Sequence, residues 1–367
     1  MSFESEVTVV IPTFERPRFA WRSICHLEAC GLVGLVIDGS KVPLLDSATA
    51  TDLRTVRYIH SPVALHERLR QAAQLLETPY AILKGDDEFH LPQGLLKCWD
   101  VIRKDSAVSS VCGHPLFQSL LPNQKWNVYP WLSGSPPLDW WNGSVTDANR
   151  IHRLTRHFTP LLPTSMYGLV RREFFEAAFT EIERLGNGNV YEGEYFIESL
   201  AALTGYICVI PVVMWIRSGE NSSITNSVPD VDFFSFTRDS GGFEGFSHSL
   251  VSALSSILQQ ESIPASLIVD ALDDLAKKRL DARADTDLQT GKSMFSLRNL
   301  WERLPAKWRV PIRSILDVPL RTFSRDPWIR AGKRAQAAGL HVSLDDLKLV
   351  SRLSRETTPV GTQMSCE

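Results

Sequence analysis

Val7-Thr-Val-Val-Ile11 is a continuous run of β-branched residues that stops at Pro12. A run of this kind is typical of a strand that is buried on both faces of a sheet. The next segment, Arg16 to Cys30, carries apolar residues at helical spacing and is followed by Gly31, a residue type that commonly ends helices. The sequence therefore predicts that the chain begins with a strand, a loop and a helix.

The same alternation continues along the chain. Apolar runs predict further strands at Leu32–Ile37, Arg57–Ile59, Tyr80–Leu83, Met166–Val170 and Tyr206–Ile216. Helical spacing predicts helices at Leu65–Leu76, Arg172–Arg184 and Glu194–Thr204. Strands that alternate with helices predict an α/β fold with a mostly parallel sheet, helices on both faces, and a ligand cleft at the carboxyl ends of the strands.

Composition divides the 367 residues into three predicted parts. Residues 1–228 form the α/β unit, 229–356 a mainly helical and basic extension, and 357–367 a disordered tail. Within the first part, Leu116–Pro163 is rich in Pro, Trp, Asn and Gly, which predicts long irregular connections that build part of an acceptor site. The Trp140-Trp141 pair in this segment has two interpretations, stacking on a sugar or ordinary aromatic packing.

Charge is unevenly distributed along the chain. The net charge of −3 gives no overall footprint for nucleic acid, so no nucleic-acid partner is expected. The segment Lys292–Arg334 nevertheless has a net charge of +8, and Trp and Phe residues lie among its cations. Two interpretations stay open: peripheral contact with an anionic membrane surface, or helices that pack their Trp side chains inward and solvate their Arg side chains.

Three features predict a cytoplasmic location, with any membrane contact being peripheral and on the inner face. The six cysteines form no Cys-x-x-Cys pair. The first residues lack the basic region of a signal peptide. The longest apolar run, Tyr206–Ile216, is too short to span a bilayer.

An acidic run, Asp86-Asp87-Glu88, follows the predicted strand that ends at Leu83. Hard divalent ions such as Mg²⁺ are bound by one or two carboxylates together with phosphate oxygens, and such an ion neutralises a leaving diphosphate. The run therefore predicts a Mn²⁺ or Mg²⁺ site for a phosphate-containing ligand. Turn or helix-capping residues are the alternative interpretation.

Two further carboxylates, Glu192 and Glu194, flank Gly193 just before a predicted helix. A carboxylate there is a candidate general base for an acceptor hydroxyl, because a helix N-terminus favours the ionised form. Helix capping is the alternative interpretation.

Four segments resemble motifs of family 2 glycosyltransferases, which have the GT-A fold, and occur in the same order. Val7 to Arg16 resembles the opening of these enzymes, and Val36-Ile-Asp-Gly-Ser40 is similar to their second-strand motif. Thr78 to Pro92 resembles the strand that enters their DxD-type metal site, and Glu194 to Tyr206 resembles their Glu-Asp helix with its terminal Gly-Tyr. The resemblance spans about residues 7 to 226 and is nearest to a bacterial subgroup with Thr-Pro-Tyr before the acidic run.

The resemblance implies an inverting transfer of a sugar from a nucleoside diphosphate to a hydroxyl of a glycan or lipid-linked acceptor, in the synthesis of a cell-surface or secreted polysaccharide. It implies that Asp87, with Glu88 beside it, holds the divalent metal and that Glu194 or Glu192 is the base. Arg217 and Asn221 are candidates for holding the diphosphate, with a structural loop role as the alternative. The resemblance also implies that Pro12, Thr13 and Glu15 form the first nucleotide-contacting loop. It implies that Asp38 meets the base or ribose, that Arg70 faces the nucleotide, and that Asp86 approaches the ribose or the metal.

The chain departs from the family pattern at several positions. Gly85 stands where many relatives have the first Asp of the metal motif, and Gly193-Glu194 stands where they have Glu-Asp. These glycines keep open the alternative of a non-catalytic nucleotide-sugar or glycan-binding protein. A nucleotidyltransferase is a weaker alternative because the loop after the first strand has no glycine. The sequence contains no Gln-x-x-Arg-Trp motif, so the enzyme is expected to be non-processive.

Overall fold

The computed structural model describes residues 3–121, 125–130, 143–158, 164–182, 190–220, 240–260, 263–274, 324 and 326–356. Several sequence predictions fall outside these ranges: the Trp140-Trp141 pair, Asn221, most of the basic segment and the tail after residue 356. The predicted division of the chain into three parts and the predicted membrane contact stay predictions.

The strands are, in chain order, β1 (Val7–Thr13), β2 (Val33–Asp38), β3 (Val56–His60), β4 (Tyr80–Leu83), β5 (Phe89–His90), β6 (Val108–Leu120), β7 (Trp126–Pro130), β8 (Leu169–Arg171) and β9 (Tyr206–Ser218). The helices are α1 (Pro17–Cys30), α2 (Ser47–Thr51), α3 (Leu65–Gln74), α4 (Pro92–Ile102), α5 (Arg150–Phe158), α6 (Arg172–Glu181), α7 (Val190–Thr204), α8 (Ser240–Gln260), α9 (residues 265–274), α10 (Pro327–Ala337) and α11 (Leu344–Glu356).

These strands form one mixed sheet. Its order is β3-β2-β1-β4-β8-β6-β9-β5, with β7 paired to the outer part of β6. Strands β3, β2, β1, β4, β6 and β9 run in one direction, while β5, β7 and β8 run against their neighbours. The predicted α/β class with a mostly parallel sheet is therefore confirmed.

The sheet is covered by helices on both faces. Alternate residues of β1 show this directly, because Val9 and Ile11 belong to one apolar cluster and Val10 to another. The first cluster includes Ile24 of α1 and Trp328 of α10. The second contains the buried apolar side chains of α3, α6 and α7. Burial of β1 on both sides accounts for its unbroken β-branched sequence.

The prediction of irregular structure over Leu116–Pro163 is wrong for part of that segment. Strand β6 continues to Leu120, β7 pairs with it, and α5 follows. These elements contain polar residues and therefore lack a clear apolar pattern in the sequence. Several of these polar residues are nevertheless buried and hydrogen-bonded in the structure. Arg153 of α5, for example, is 4% exposed and donates to the backbone oxygens of Ala202 and Leu203.

The last two helices pack against the sheet. The backbone of His341 joins β9, since its N–H donates to Pro211 and its oxygen accepts from Val213. Asp346 of α11 accepts from the backbone N–H of Gln93 in the first turn of α4. Within the described residues, no helix is long and apolar enough to cross a membrane.

Candidate active site

Three loops meet at the carboxyl ends of neighbouring strands β2, β1 and β4. The Thr13 hydroxyl at the end of β1 donates to a carboxylate oxygen of Asp86 at 2.7 Å. The Glu15 N–H donates to the Ser40 hydroxyl after β2 at 2.7 Å. The sequence-predicted cleft residues on these three loops are therefore brought together, as the parallel order of the strands requires.

The loop after β1 joins the other two. Pro12 lies within the strand, in register with Ile37. Glu15 has a φ of 53° and accepts from the Lys41 N–H at 2.9 Å, so its carboxylate ties this loop to the one after β2. Phe14 beside it is 52% exposed, which leaves an aromatic ring at the edge of the cleft that the sequence prediction did not single out.

Asp38 organises the loop after β2. Its fully buried carboxylate accepts hydrogen bonds from the Ser40 N–H, the Leu44 N–H and the Tyr58 hydroxyl at 2.6–2.9 Å. Burial alone would raise the pKa of Asp38, but these hydrogen bonds outweigh burial and lower it. Asp38 is therefore ionised at neutral pH, and its predicted contact with the base or ribose stays a prediction.

Helix α3 brings Arg68 to the cleft. The Arg68 guanidinium is buried, donates to the backbone oxygen of Thr13, and lies where a side chain on Gly39 would otherwise sit. Arg70, the residue predicted to face the nucleotide, is roughly 200° further around the same helix. The structure thus shows Arg68 in contact with the loop after β1, a residue that no sequence motif singled out, and the contact of Arg70 with the nucleotide stays a prediction.

In the acidic turn after β4, Asp86-Asp87-Glu88, two carboxylates pair with the same arginine. Arg16 forms ion pairs of 2.7 Å with both Asp86 and Asp87. The Asp86 side chain is 3% exposed and that of Asp87 is 15% exposed. Burial raises the pKa of Asp86 to about 6, against the opposing effects of Arg16 and of the Thr13 hydrogen bond. The two carboxylates therefore face a common point, at which the structure has a guanidinium.

Helix α1 supports this turn from the interior. The Ser23 hydroxyl donates to the Asp86 backbone oxygen at 2.6 Å, and Arg22 donates to the Asp87 backbone oxygen at 2.9 Å. Lys84 donates to Ser23 at 2.6 Å and is fully buried, and this burial lowers the pKa of Lys84 to about 7. The backbone of the acidic turn is thus fixed by side chains more than 60 residues away in sequence.

The residues of the acidic turn fit a hard divalent ion in part. Carboxylate oxygens at a common point suit Mg²⁺ or Mn²⁺ when phosphate oxygens supply the remaining ligands. Glu88 is buried, which raises the pKa of Glu88 to about 7, and its carboxyl lies 3.4 Å from the Gly85 N–H. In the described ranges, no group of three or more His, Cys, Asp or Glu could hold a metal ion. Asp86 and Asp87 are accordingly the two carboxylates that could share an ion, and the metal-binding roles of Asp87 and Glu88 stay predictions.

Both glycines that depart from the family pattern lie at close contacts. A Cβ on Gly85 would lie 3.3 Å from Asp87 Oδ1 and from the Glu88 side chain, so glycine lets these acidic side chains approach the backbone. A Cβ on Gly193 would lie 3.0 Å from the Ile182 side chain, where α7 passes α6. A side chain at either position would require these neighbours to shift by a few tenths of an ångström.

Glu194 lies in the second turn of α7 rather than before the helix, because α7 begins at Val190. The expectation that the helix N-terminus keeps this carboxylate ionised is wrong. Burial, reinforced by Glu198, raises the pKa of Glu194 to about 7, while Arg217 acts in the opposite sense. Glu192 is in the same helix, but its side chain lies outside the described part of the structure.

Glu194 belongs to the same electrostatic environment as the acidic turn. Burial and the charges of Glu194 and Glu88 raise the pKa of Tyr167, whose ring stacks on Trp215 with centroids 4.9 Å apart. Arg217 acts on the pKa values of both carboxyls, Glu88 and Glu194. Tyr167 and Arg217 are therefore within electrostatic range of both the candidate base and the acidic turn.

Sequence analysis missed Glu198, a buried carboxylate one turn after Glu194. It accepts from the backbone N–H groups of Ser165 and Met166 at 2.8 and 2.9 Å, and it lies 2.6 Å from His157 Nε2. These contacts fix the turn that carries Tyr167. The position has no recognisable motif, because its partners come from two distant segments.

Comparison with known proteins finds structural similarity at low sequence identity. No family model and no curated protein matches the chain. Among solved structures, TarS 1–349 of S. aureus in complex with UDP-GlcNAc has 12% sequence identity and a TM-score of 0.49, with 96% of this chain and 91% of that chain covered. The complex of the same protein with UDP has 10% identity and a TM-score of 0.46, covering 98% of this chain and 94% of that one. TarS 1–349 by itself has 10% identity and a TM-score of 0.44, covering 76% and 92%.

Proposed function

We propose that this protein is an inverting glycosyltransferase that moves a sugar from a nucleoside diphosphate to a hydroxyl of a glycan or lipid-linked acceptor. One observation carries the proposal: Thr13, Asp86 and Asp87 meet at the carboxyl ends of β1 and β4, with the Arg16 guanidinium between the two carboxylates. This is the edge of an α/β sheet at which nucleotides bind, and it has both the anionic and the cationic groups that a diphosphate site needs.

The donor nucleotide lies in this proposal over the loops after β1 and β2, with its diphosphate at the acidic turn. Asp86 and Asp87, with Glu88 as a further candidate, would hold a Mn²⁺ or Mg²⁺ ion that neutralises the leaving diphosphate. Arg16 pairs with both aspartates, and Arg217, whose charge acts on the pKa of Glu88, is a further candidate cation for the diphosphate. Arg68 and Asp38 fix the loops that receive the nucleoside.

Glu194 is the proposed general base, and Glu192 stays the alternative. A base with a pKa near 7 is well matched to proton transfer at neutral pH. The acceptor oxygen attacks the anomeric carbon as the bond to the diphosphate oxygen breaks. The bonding electrons leave with the nucleoside diphosphate, the acceptor proton passes to the carboxylate, and the configuration of the anomeric carbon inverts.

The first test is a thermal-shift screen against UDP-, GDP-, dTDP- and CMP-sugars, with and without Mn²⁺. We expect one nucleotide to raise Tm in the wild type and to lose this effect in Asp87→Asn. Slow release of nucleoside diphosphate without acceptor would then identify an enzyme. If no sugar nucleotide shifts Tm or is hydrolysed, the proposal is wrong, whereas binding without any turnover would favour the non-catalytic alternative.

A further inference from the structure

A relay of buried hydrogen bonds, through Trp328, Gln118, Glu220 and Arg22, connects helix α10 with the acidic turn. The Trp328 indole N–H donates to Gln118 Oε1 at 3.1 Å, and Gln118 Nε2 donates to Glu220 Oε1 at 3.1 Å. The Glu220 carboxylate pairs with both terminal nitrogens of Arg22, at 3.0 and 2.7 Å. Arg22 in turn donates to the backbone oxygen of Asp87 at 2.9 Å.

Every side chain of this relay is almost completely removed from solvent. Trp328 is 0% exposed, and Gln118 and Arg22 are each 1% exposed. The Glu220 side chain is 4% exposed. Buried polar groups are costly to leave unpaired, so the loss of one link is not readily made good by water.

The donor and acceptor groups of these side chains fix the direction of each hydrogen bond in the relay. Indole nitrogen only donates and carboxylate only accepts, so Gln118 must place its oxygen toward Trp328 and its nitrogen toward Glu220. The Glu220 carboxylate then holds the Arg22 guanidinium through two bonds, which is the geometry that fixes an arginine best. The rings of Phe19 and Phe89 lie 5.1 and 5.0 Å from the same guanidinium.

We propose that Trp328 is a positioning residue for the donor site, acting through Gln118, Glu220 and Arg22 on the backbone of Asp87. Helix α10 then contributes to the donor-binding site, although it lies more than 230 residues from the acidic turn in sequence. The expected weakening of nucleoside-diphosphate binding rests on the proposed function. The coupling between Trp328 and the acidic turn does not.

The test compares Trp328→Phe with the matched control Trp126→Phe. The two indoles pack together with ring centroids 5.2 Å apart, so both changes shrink the same aromatic contact, but only the first removes a donor from the relay. Hydrogen exchange of the peptide that contains Gly85–Glu88 reports the coupling, and calorimetric titration with the nucleoside diphosphate selected by the thermal-shift screen reports binding.

We expect Trp328→Phe to increase exchange in that peptide and to weaken nucleotide binding about fivefold or more, with smaller effects for Trp126→Phe. In a Glu220→Gln background, Trp328→Phe should add little to either effect, because the relay is already weakened. Equal exchange in the two Trp variants would overturn the inference. If Trp328→Phe alone increases exchange but the wild type binds none of the nucleotides, the relay stands and the proposed function fails.

Discussion

At the scale of single residues, Arg16 decides the charge of the candidate site. It is the cation that the structure shows between Asp86 and Asp87, and its side chain is 33% exposed. A divalent ion that approaches the same two carboxylates must therefore compete with a guanidinium. This competition allows metal binding to be tested without any measurement of transfer activity.

We predict that Arg16→Gln increases the affinity of the protein for Mn²⁺ in the absence of nucleotide. Removing one positive charge a few ångströms from the ion should lower the dissociation constant by about tenfold or more. Electron paramagnetic resonance of free Mn²⁺ measures this directly. Arg54→Gln is the control, since Arg54 is 80% exposed and pairs with Glu28, which lies at the opposite end of α1 from Arg16. Unchanged Mn²⁺ affinity in Arg16→Gln would show that the ion does not use these carboxylates.

Glu194 gives a second prediction at this scale, about pH. Its pKa is about 7 in the folded protein and 4.5 in the reference state, so the folded protein binds the extra proton between these values. Stability contributed by this group is present below pH 4.5 and is lost as the pH rises through 7. Glu194→Gln should therefore be more stable than the wild type at pH 8 by about 2 kcal/mol, and less so at pH 5.

The same variant should lose about 10²–10⁴-fold in transfer rate if Glu194 is the base. In the wild type, kcat/KM should rise with pH and level off above about 7, because only the ionised form accepts a proton. Denaturant titrations at both pH values and a pH–rate profile provide the measurements. Glu192→Gln is the comparison: a larger rate loss there would move the base to Glu192.

At the scale of elements, Glu198 joins α7 to α5 and to the turn before β8. Replacing it with Ala would leave the buried N–H groups of Ser165 and Met166 without their acceptor. We predict a loss of about 3 kcal/mol in the free energy of unfolding, which is the range for breaking a buried charged contact. Urea denaturation measures it. Glu176→Ala, which removes a half-exposed carboxylate that pairs with Arg172 on α6, should change stability by less than about 0.5 kcal/mol. Similar losses in both variants would contradict the role assigned to Glu198.

The elements also show which features the sequence can predict. Strand β4 has the predicted bounds, Tyr80–Leu83, and α1 begins one residue after the predicted Arg16, because continuous or periodic apolar patterns define both. Strand β6 was not predicted, because it includes Ser109, Ser110 and Gln118, and these polar residues are nevertheless buried. The hydrophobic pattern predicts a strand or helix well only where the buried residues are also apolar.

The candidate site likewise has residues that the sequence can predict and contacts that it cannot. Asp86 and Asp87 could be predicted because they are contiguous and follow a strand end. Their pairing with Arg16 spans about 70 residues, and the contact of Arg68 with Thr13 depends on which way α3 faces. Relations of this kind are set by tertiary packing, so a single sequence contains no local signal for them.

At the scale of the whole molecule, α10 and α11 share the core of the α/β unit. Trp328, Leu347 and Val350 are fully buried in the same apolar cluster as Val9 and Leu95. Composition alone suggests that the basic C-terminal part is an extension, but its last two helices cover one face of the sheet. The relay from Trp328 to the acidic turn gives this packing a consequence for the site.

This shared core leads to a prediction about truncation. A chain that ends at residue 323 lacks α10 and α11 and exposes apolar surface that each large side chain had buried at a gain of about 1.5–3 kcal/mol. Since a typical domain has only about 5–15 kcal/mol of stability, we expect this chain to lose cooperative unfolding or to melt more than about 10 °C below the full chain. A chain that ends at residue 356 is the control and should keep the Tm of the full chain. Calorimetry measures both chains. If the chain ending at 323 unfolds cooperatively at the Tm of the full protein, helices α10 and α11 are a separable extension. The proposed coupling between Trp328 and the acidic turn then loses its structural basis.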